Sequence, residues 1–190
     1  MSSSAEQSSQ RCIEAYEALA AAETYGAARA AWEDFLTYWR RGLNRCDVMG
    51  QRSRGSAHVA CYKRVIIQPA LAYLWAARNA EEHGVVEIAA RQERAIVMGV
   101  LGGYREERGA PGPNGELTFT YTPLTDDPPP FLAVMPEHIK LRPIAERGGV
   151  TPVPAAFDYD LGMTSAPVAL AKMGLDFLLQ EIADLAQTDG

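Results

Sequence analysis

The chain has 190 residues, which is enough for one domain of ordinary size with a small addition and excludes two full catalytic domains. Its composition, 47% hydrophobic and 22% charged, is that of a globular protein and excludes a disordered or low-complexity chain. The longest apolar run, residues 95–101, is much shorter than the ~18 residues of a membrane span, and residues 1–10 are Ser-rich, unlike a secretory signal. These features predict a cytoplasmic protein without membrane association.

Positive charge is concentrated in one part of the chain. The formal net charge is −6, yet residues 40–64 hold seven basic side chains against one acidic side chain, Asp47, so the remainder carries −12. The seven basic residues are Arg40, Arg41, Arg45, Arg52, Arg54, Lys63 and Arg64. A basic segment on an acidic protein can attract a polyanion, which makes these residues candidates for nucleic-acid binding. The alternative is a solvated helix end and loop whose arginines bind nothing.

The N-terminal half predicts two helices and a loop. Residues 1–10 have the composition of a flexible leader, and residues 11–22, rich in Ala and Glu, predict a short helix. After Gly26, apolar residues recur at spacings of three and four, which predicts a helix of about five turns. This apolar stripe consists of Ala30, Trp32, Phe35, Leu36, Trp39 and Leu43. Residues 49–60 contain two glycines and two serines without periodicity and predict a loop.

A third helix is predicted from Pro69, which suits a first helical turn, to His83, because Gly84 suits the position after a last turn. Beyond it, β-prone runs alternate with Gly- and Pro-rich breaks and predict two to four strands of a small antiparallel sheet. These runs are residues 95–101, 117–121 and 139–144. Ser165 then suits the N-cap of a last helix.

The predicted fold class is therefore α+β, mostly α. A bundle of helices over residues 11–90 follows the leader of residues 1–10. A β-rich insert over residues 91–164 comes next, and a C-terminal helix over residues 165–187 packs on the bundle.

The cysteines indicate a reducing compartment. Cys12, Cys46 and Cys61 are odd in number and irregular in spacing, which argues against a disulfide framework. Cys46, His58 and Cys61 offer three zinc ligands, but no CxxC or HxxxH pair completes a tetrahedral set. Buried thiols are the better interpretation, and the sequence predicts no metal site.

The helix from Pro69 carries the residues with the clearest chemistry. Arg78 and the polar Asn79 are followed, five positions after the arginine, by His83. Five positions turn a helix through about 500°, so the Arg78 and His83 side chains emerge about 140° apart and can flank one groove. A guanidinium suits phosphate oxygens, and a histidine can move a proton near neutral pH. The pair suits phosphodiester cleavage without a metal or other cofactor.

The end of this helix also fits a purely structural role. Arg78 and Glu82 lie four positions apart and can form an ion pair, with His83 acting at the helix C-terminus. Arg52 and His58 match the spacing of arginine and histidine as well, in the segment predicted as a loop. In a chain this rich in arginine such pairs arise by chance, so the spacing alone favours the ion pair.

A longer stretch resembles the HEPN superfamily. The resemblance covers residues 25–90 and rests on residues 32–36 (WEDFL) and residues 69–84 (PALAYLWAARNAEEHG), which contain that family's pattern of an arginine, a polar residue and a later histidine. It implies an up-and-down helical bundle that forms a homodimer and brings two copies of the motif into one cleft. It also implies that Arg78 and His83 are the catalytic pair and that Asn79 supports them.

Two functions follow from this resemblance. The first is a metal-independent endoribonuclease of HEPN type, in a toxin–antitoxin or phage-defence system, with RNA as substrate and an antitoxin or other protein as partner. The second is a catalytically silent, dimeric HEPN-like module that binds a partner protein or nucleotide.

Overall fold

A computed structural model describes residues 4–82, 89–92, 95–100, 104–108, 119–123, 130–135, 137–146, 149–155 and 165–187. These residues form five α-helices and eight β-strands, so the α+β, mostly α fold class is confirmed. The chain divides into two compact units, one of Met1–Glu93 with Pro136–Gly190 and one of Arg94–Met135. All five helices belong to the first unit.

The helices account for most of the first unit. Their bounds are α1 Ser4–Ala20, α2 Tyr25–Arg54, α3 Cys61–Val65, α4 Pro69–Glu82 and α5 Ser165–Ala186, with a short 3₁₀ turn at Gly55–Ala57. No helix in the described part of the chain combines the length and the apolar character that crossing a lipid bilayer requires.

The aromatic stripe of α2 forms the centre of the core. Thr24 caps the helix by accepting a hydrogen bond from the Ala27 amide at 3.3 Å. Five members of the predicted stripe are completely buried: Trp32, Phe35, Leu36, Trp39 and Leu43. Ala30 is exposed instead, and the neighbouring alanines Ala28 and Ala31 are buried. The helical periodicity is therefore confirmed, with this one position corrected.

Helix α2 continues through most of the segment predicted as a loop. It ends at Arg54, and Gly55, with φ of 55°, takes a backbone conformation that favours glycine. Within the helix, Gly50 is buried against the His58 imidazole, where a Cβ atom would overlap the ring. The predicted loop over residues 49–60 is therefore wrong up to Arg54, because packing against His58 compensates for the low helix propensity of Gly50.

Helix α1 also begins earlier than the composition predicts. Residues 4–10, assigned from sequence to a flexible leader, belong to this helix. Ser8 and Ser9 are buried, and an Arg45 guanidinium nitrogen donates a hydrogen bond to the Ser8 hydroxyl. Packing on α2 thus favours a helical conformation in a polar segment that has no strong helical signal of its own.

Part of the predicted insert belongs to the helical unit. Strand β1 (Ala89–Gln92) pairs antiparallel with β6 (His138–Leu141), and β7 (Ile144–Glu146) pairs antiparallel with β8 (Gly149–Thr151). The strand predicted at residues 139–144 is divided before Ile144 by Pro143, which has no amide hydrogen for a ladder. Tyr73 of α4 donates a hydrogen bond to the Arg142 carbonyl at 2.8 Å and so joins α4 to this segment.

The described residues of the second unit form strands. Strand β2 (Ala95–Val100) pairs antiparallel with β5 (Pro130–Met135), and β3 (Tyr104–Arg108) pairs antiparallel with β4 (Phe119–Pro123). The strand predicted at residues 95–101 is confirmed over residues 95–100, and the one predicted at residues 117–121 overlaps β4 from Phe119; residues 101, 117 and 118 lie outside the described residues. The second unit, Arg94–Met135, covers fewer residues than the predicted insert of residues 91–164.

The C-terminal helix packs on the bundle, as predicted. Helix α5 contacts α1, α2 and α4. The Trp39 indole nitrogen donates a hydrogen bond to the Gly174 carbonyl at 2.7 Å, and a Cβ atom at Gly174 would overlap Leu74 of α4. The close approach of α5 therefore depends on glycine at this position.

Candidate functional site

Arg78 lies on the face of α4 that carries Trp75 and Glu82, at helical spacings of three and four residues. Its Nη2 atom donates a hydrogen bond to Glu82 Oε1 at 2.9 Å, so the ion pair anticipated from sequence is present. The Arg78 side chain is 16% exposed, and its Nε atom is buried without a hydrogen-bond partner among the described residues. The ion pair with Glu82 therefore leaves the Arg78 Nε atom without a hydrogen-bond acceptor among the described residues.

Arg40 reaches the same part of the molecule from α2. Its guanidinium lies directly over the Trp75 ring, and the ring centroids of Trp75 and Tyr62 are 4.8 Å apart. The Arg40 Nη1 atom is also buried, and no group in the part of the chain that the structure describes accepts a hydrogen bond from it. An aromatic platform thus holds a second incompletely satisfied guanidinium beside α4.

The charges of these residues act on one another. Burial lowers the pKa of Arg40; the carboxylates of Glu82 and Asp47 oppose that shift, and the positive charge of Arg78 adds to it. Arg40 and Arg78 therefore lie close enough to repel each other. An anion bound beside the two guanidiniums would relieve this repulsion.

The other two predicted catalytic residues have different outcomes. Asn79 is half-buried on α4, next to Arg78. His83 lies outside the described residues, so its convergence with Arg78 stays a prediction. Arg52 and His58, the other pair with this spacing, do not face a common groove. Arg52 is exposed near the end of α2, whereas the His58 side chain is only 4% exposed.

Sequence reasoning missed Glu81. The pKa of this carboxyl group is raised to about 7: burial and, to a smaller extent, the nearby charge of Glu33 raise it, and the charges of Arg78 and Arg29 partly oppose the shift. A carboxyl group that titrates near neutrality can accept or donate a proton. In the sequence, Glu81 is marked only by its position three residues after Arg78 on the same helix. This spacing does not reveal that Glu81 is partly buried against α2.

Two of the seven basic residues are anchored to α5. Arg64 donates a hydrogen bond from Nε to Glu181 Oε1 at 2.8 Å and forms an ion pair with this buried carboxylate. Arg54 donates a hydrogen bond to the Asp184 backbone carbonyl. Arg54 and Arg64 therefore connect helices, and their role in nucleic-acid binding stays a prediction.

The remaining basic residues face different directions. Arg41, Arg45 and Arg52 follow one another along α2 within about 40° of rotation, whereas Arg40 points about 100° away from Arg41. Arg41 and Arg52 are exposed, and Lys63 is exposed on α3. Of the seven basic residues, Arg40 alone joins the Arg78 site, whereas Arg41, Arg45 and Arg52 form a separate stripe along α2.

The cysteines behave as buried thiols. Burial raises the pKa values of Cys12 and Cys46 to about 12 and also raises that of Cys61. His58 Nε2 lies 3.4 Å from Asp47 Oδ1, which accepts a hydrogen bond from the Cys61 amide at 2.5 Å. No group of three or more His, Cys, Asp or Glu residues in the described ranges is arranged to hold a metal ion, so the zinc interpretation receives no support.

Comparisons of this chain with protein-family models, with curated proteins and with solved structures find no match. Function is therefore inferred from the chemistry of the site itself and from the resemblance of its motif.

Proposed function

We propose that the protein is a metal-independent endoribonuclease of HEPN type that acts in the cytoplasm, in a toxin–antitoxin or phage-defence system. The observation that carries this proposal is the placement of Arg40 and Arg78 on two adjacent helices, within electrostatic range of each other and each with a buried guanidinium nitrogen that no described residue engages in a hydrogen bond. Two arginines of this kind suit the non-bridging oxygens of a phosphodiester, which can accept bonds from both.

The reaction proposed is transesterification within RNA. The ribose 2′-oxygen attacks the adjacent phosphorus, and the bond from phosphorus to the 5′-oxygen breaks, which leaves a 2′,3′-cyclic phosphate and a 5′-hydroxyl. His83 transfers the proton that the 2′-hydroxyl loses and the departing 5′-oxygen gains. Arg78 stabilises the charge that develops on the phosphorane, and Asn79 supports Arg78 and His83. Arg40 holds a phosphate oxygen on the side of Trp75.

A homodimer completes the proposed site. Four apolar side chains near α3 are largely exposed: Val59, Tyr62, Ile66 and Ile67, here called the α3 patch. The patch adjoins the site, because the ring of Tyr62 lies against the Trp75 ring under Arg40. A second copy docked on this patch would bring a second Arg78 towards the first and would cover apolar surface that a monomer exposes.

One observation favours the alternative, a catalytically silent HEPN-like binding module. The Arg78–Glu82 ion pair occupies part of the guanidinium that a ribonuclease would direct at phosphate. In that case the same surface would hold an antitoxin or other protein partner rather than cleave RNA.

Cleavage assays on Arg78→Ala and His83→Ala distinguish the two functions. For a ribonuclease, each variant should lose RNA cleavage by about two orders of magnitude or more. The wild-type reaction should continue in EDTA and leave a 2′,3′-cyclic phosphate. Arg78→Ala should also lower the free energy of unfolding, through the lost ion pair and the lost packing of a side chain that is 16% exposed, so urea unfolding must show that the variant is folded under the assay conditions. Lys172→Gln, an exposed change on α5, is the control. Wild-type protein that cuts no RNA in the absence of a partner would favour the binding module.

A further inference from the structure

A groove between α1 and α2 lies apart from Arg78. It has a volume of about 830 Å³ and is lined by Arg11 of α1 and by Tyr38, Arg41 and Arg45 of α2, among other residues. Because Arg40 and Arg41 point about 100° apart on α2, the groove and the Arg78 site open on different sides of this helix. We propose that the groove binds a phosphorylated small molecule, whose phosphate group is held by Arg41 and Arg45.

The charges in the groove favour an anion. Its described lining includes three arginines but one acid, Glu14, and that carboxylate is paired with Arg11 at 3.0 Å. Arg41 and Arg45 are neighbours on the helix surface, and like charges at this spacing weakly destabilise a helix. A bound dianion would attract both guanidiniums and so offset their mutual repulsion.

Both arginines are held at the groove before any ligand binds. Arg45 donates a hydrogen bond to the hydroxyl of Ser8, which is 4% exposed and belongs to α1. The Arg41 guanidinium lies 5.7 Å from the centroid of the Tyr38 ring. Because neither side chain starts from free rotation, binding costs less conformational entropy.

The size of the groove and the type of its side chains identify the class of ligand. One arginine is enough to bind a carboxylate through both of its oxygens, whereas a phosphate dianion has three terminal oxygens and engages two arginines. The volume of the groove falls within the roughly 300–1,000 Å³ range of small-molecule sites and far exceeds the volume of a phosphate alone. The Tyr38 ring and the Gln7 amide are available to the organic part of the ligand.

Calorimetric titration of the full chain with inorganic pyrophosphate and with ribose 5-phosphate tests the proposal. Replacing Arg41 and Arg45 together by Gln should weaken binding of both probes about tenfold or more, because charge-assisted hydrogen bonds are lost. Arg41→Gln alone should weaken binding about fivefold. This variant keeps the hydrogen bond between Arg45 and Ser8, so a loss of affinity cannot be due to the loss of that contact between α1 and α2. Arg29→Gln, an exposed change on the same helix outside the groove, should leave the affinity unchanged.

Three results would overturn the proposal. The first is the absence of binding of either probe to wild-type protein at millimolar concentration. The second is an equal loss of affinity in Arg29→Gln, which would indicate a general attraction to positive charge. The third is an RNA oligonucleotide whose affinity falls in Arg41→Gln but which neither probe displaces, since the groove would then belong to the path of an RNA strand.

Discussion

The guanidinium of Arg40, on α2, lies over the indole ring of Trp75, on α4. About two turns before Arg40 on α2, Glu33 acts electrostatically on Glu81, which lies almost two turns after Trp75 on α4. The two helices therefore run antiparallel at this point. Arg78 lies between the two contacts and is placed among charges from both helices.

The contact between Arg40 and Trp75 separates a role in phosphate binding from a role in stability. Arg40→Gln should lower RNA cleavage about 10- to 100-fold, because one guanidinium no longer holds the phosphate. Arg40→Lys should recover only part of this loss, since an ammonium keeps the charge but not the planar fork. Both substitutions should cost about 1 kcal/mol in the free energy of unfolding through the lost stacking. Single-turnover cleavage rates and urea unfolding measure the two effects, and a wild-type cleavage rate in Arg40→Gln would reduce Arg40 to a packing residue.

Glu81 predicts that stability falls as pH rises towards neutrality. The pKa of its carboxyl group rises from the ordinary value of 4.5 to about 7 in the folded protein. Between these two pH values the folded state holds more protons than the unfolded state, so the free energy of unfolding decreases with rising pH and levels off above pH 7. Because Glu81 is only partly buried, we expect an effect on the order of 1–2 kcal/mol.

Urea unfolding of Glu81→Gln between pH 4 and pH 8.5 measures this effect. The variant should have a flatter pH dependence than the wild type and should be the more stable protein at pH 8, since it carries no carboxylate beside Glu33. Glu82→Gln, which replaces the more exposed carboxylate next to it, is the matched control and should keep the wild-type slope. Identical slopes in wild type and Glu81→Gln would show that Glu81 ionises alike in the folded and unfolded states.

Arg64 is expected to support the fold rather than bind RNA. Arg64→Gln leaves the buried Glu181 carboxylate without its cation and should lower the free energy of unfolding by about 2–4 kcal/mol. Arg52→Gln, at an exposed position of the same basic segment, should change stability by no more than about 0.5 kcal/mol. If Arg64→Gln were as stable as the wild type and bound RNA less tightly, Arg64 would instead belong to a nucleic-acid surface.

The α3 patch predicts the surface of a homodimer. Ile67, at 75% exposure, is its most exposed member, and Ile67→Glu should weaken dimerisation about tenfold or more because it buries a charge in an apolar interface. Val150→Glu is the control, since Val150 is 65% exposed and lies on β8 outside the patch. Sedimentation equilibrium measures the association. A wild-type monomer at tens of micromolar protein, or equal effects of the two substitutions, would contradict the interface.

Local sequence signals located several elements well. The three- and four-residue spacing of Trp32, Phe35, Trp39 and Leu43 predicted the buried stripe of α2. The fixed φ angle and missing amide hydrogen of Pro69 predicted the start of α4. The presence of the Arg78–Glu82 pair was likewise foreseeable, because both partners lie on one helix four residues apart. Each of these features depends on residues within a few positions of one another.

The rest was decided by segments distant in sequence. Residues 4–10 are helical where α1 packs on α2, and α2 continues past Gly50 where the His58 ring lies against it. The basic residues of positions 40–64 have different surroundings, because Glu181 of α5 binds Arg64 whereas Trp75 of α4 stacks on Arg40. The charge of a residue can be read from the sequence. Its burial, its partner and its pKa depend on side chains that only the packing of the helices brings within contact distance.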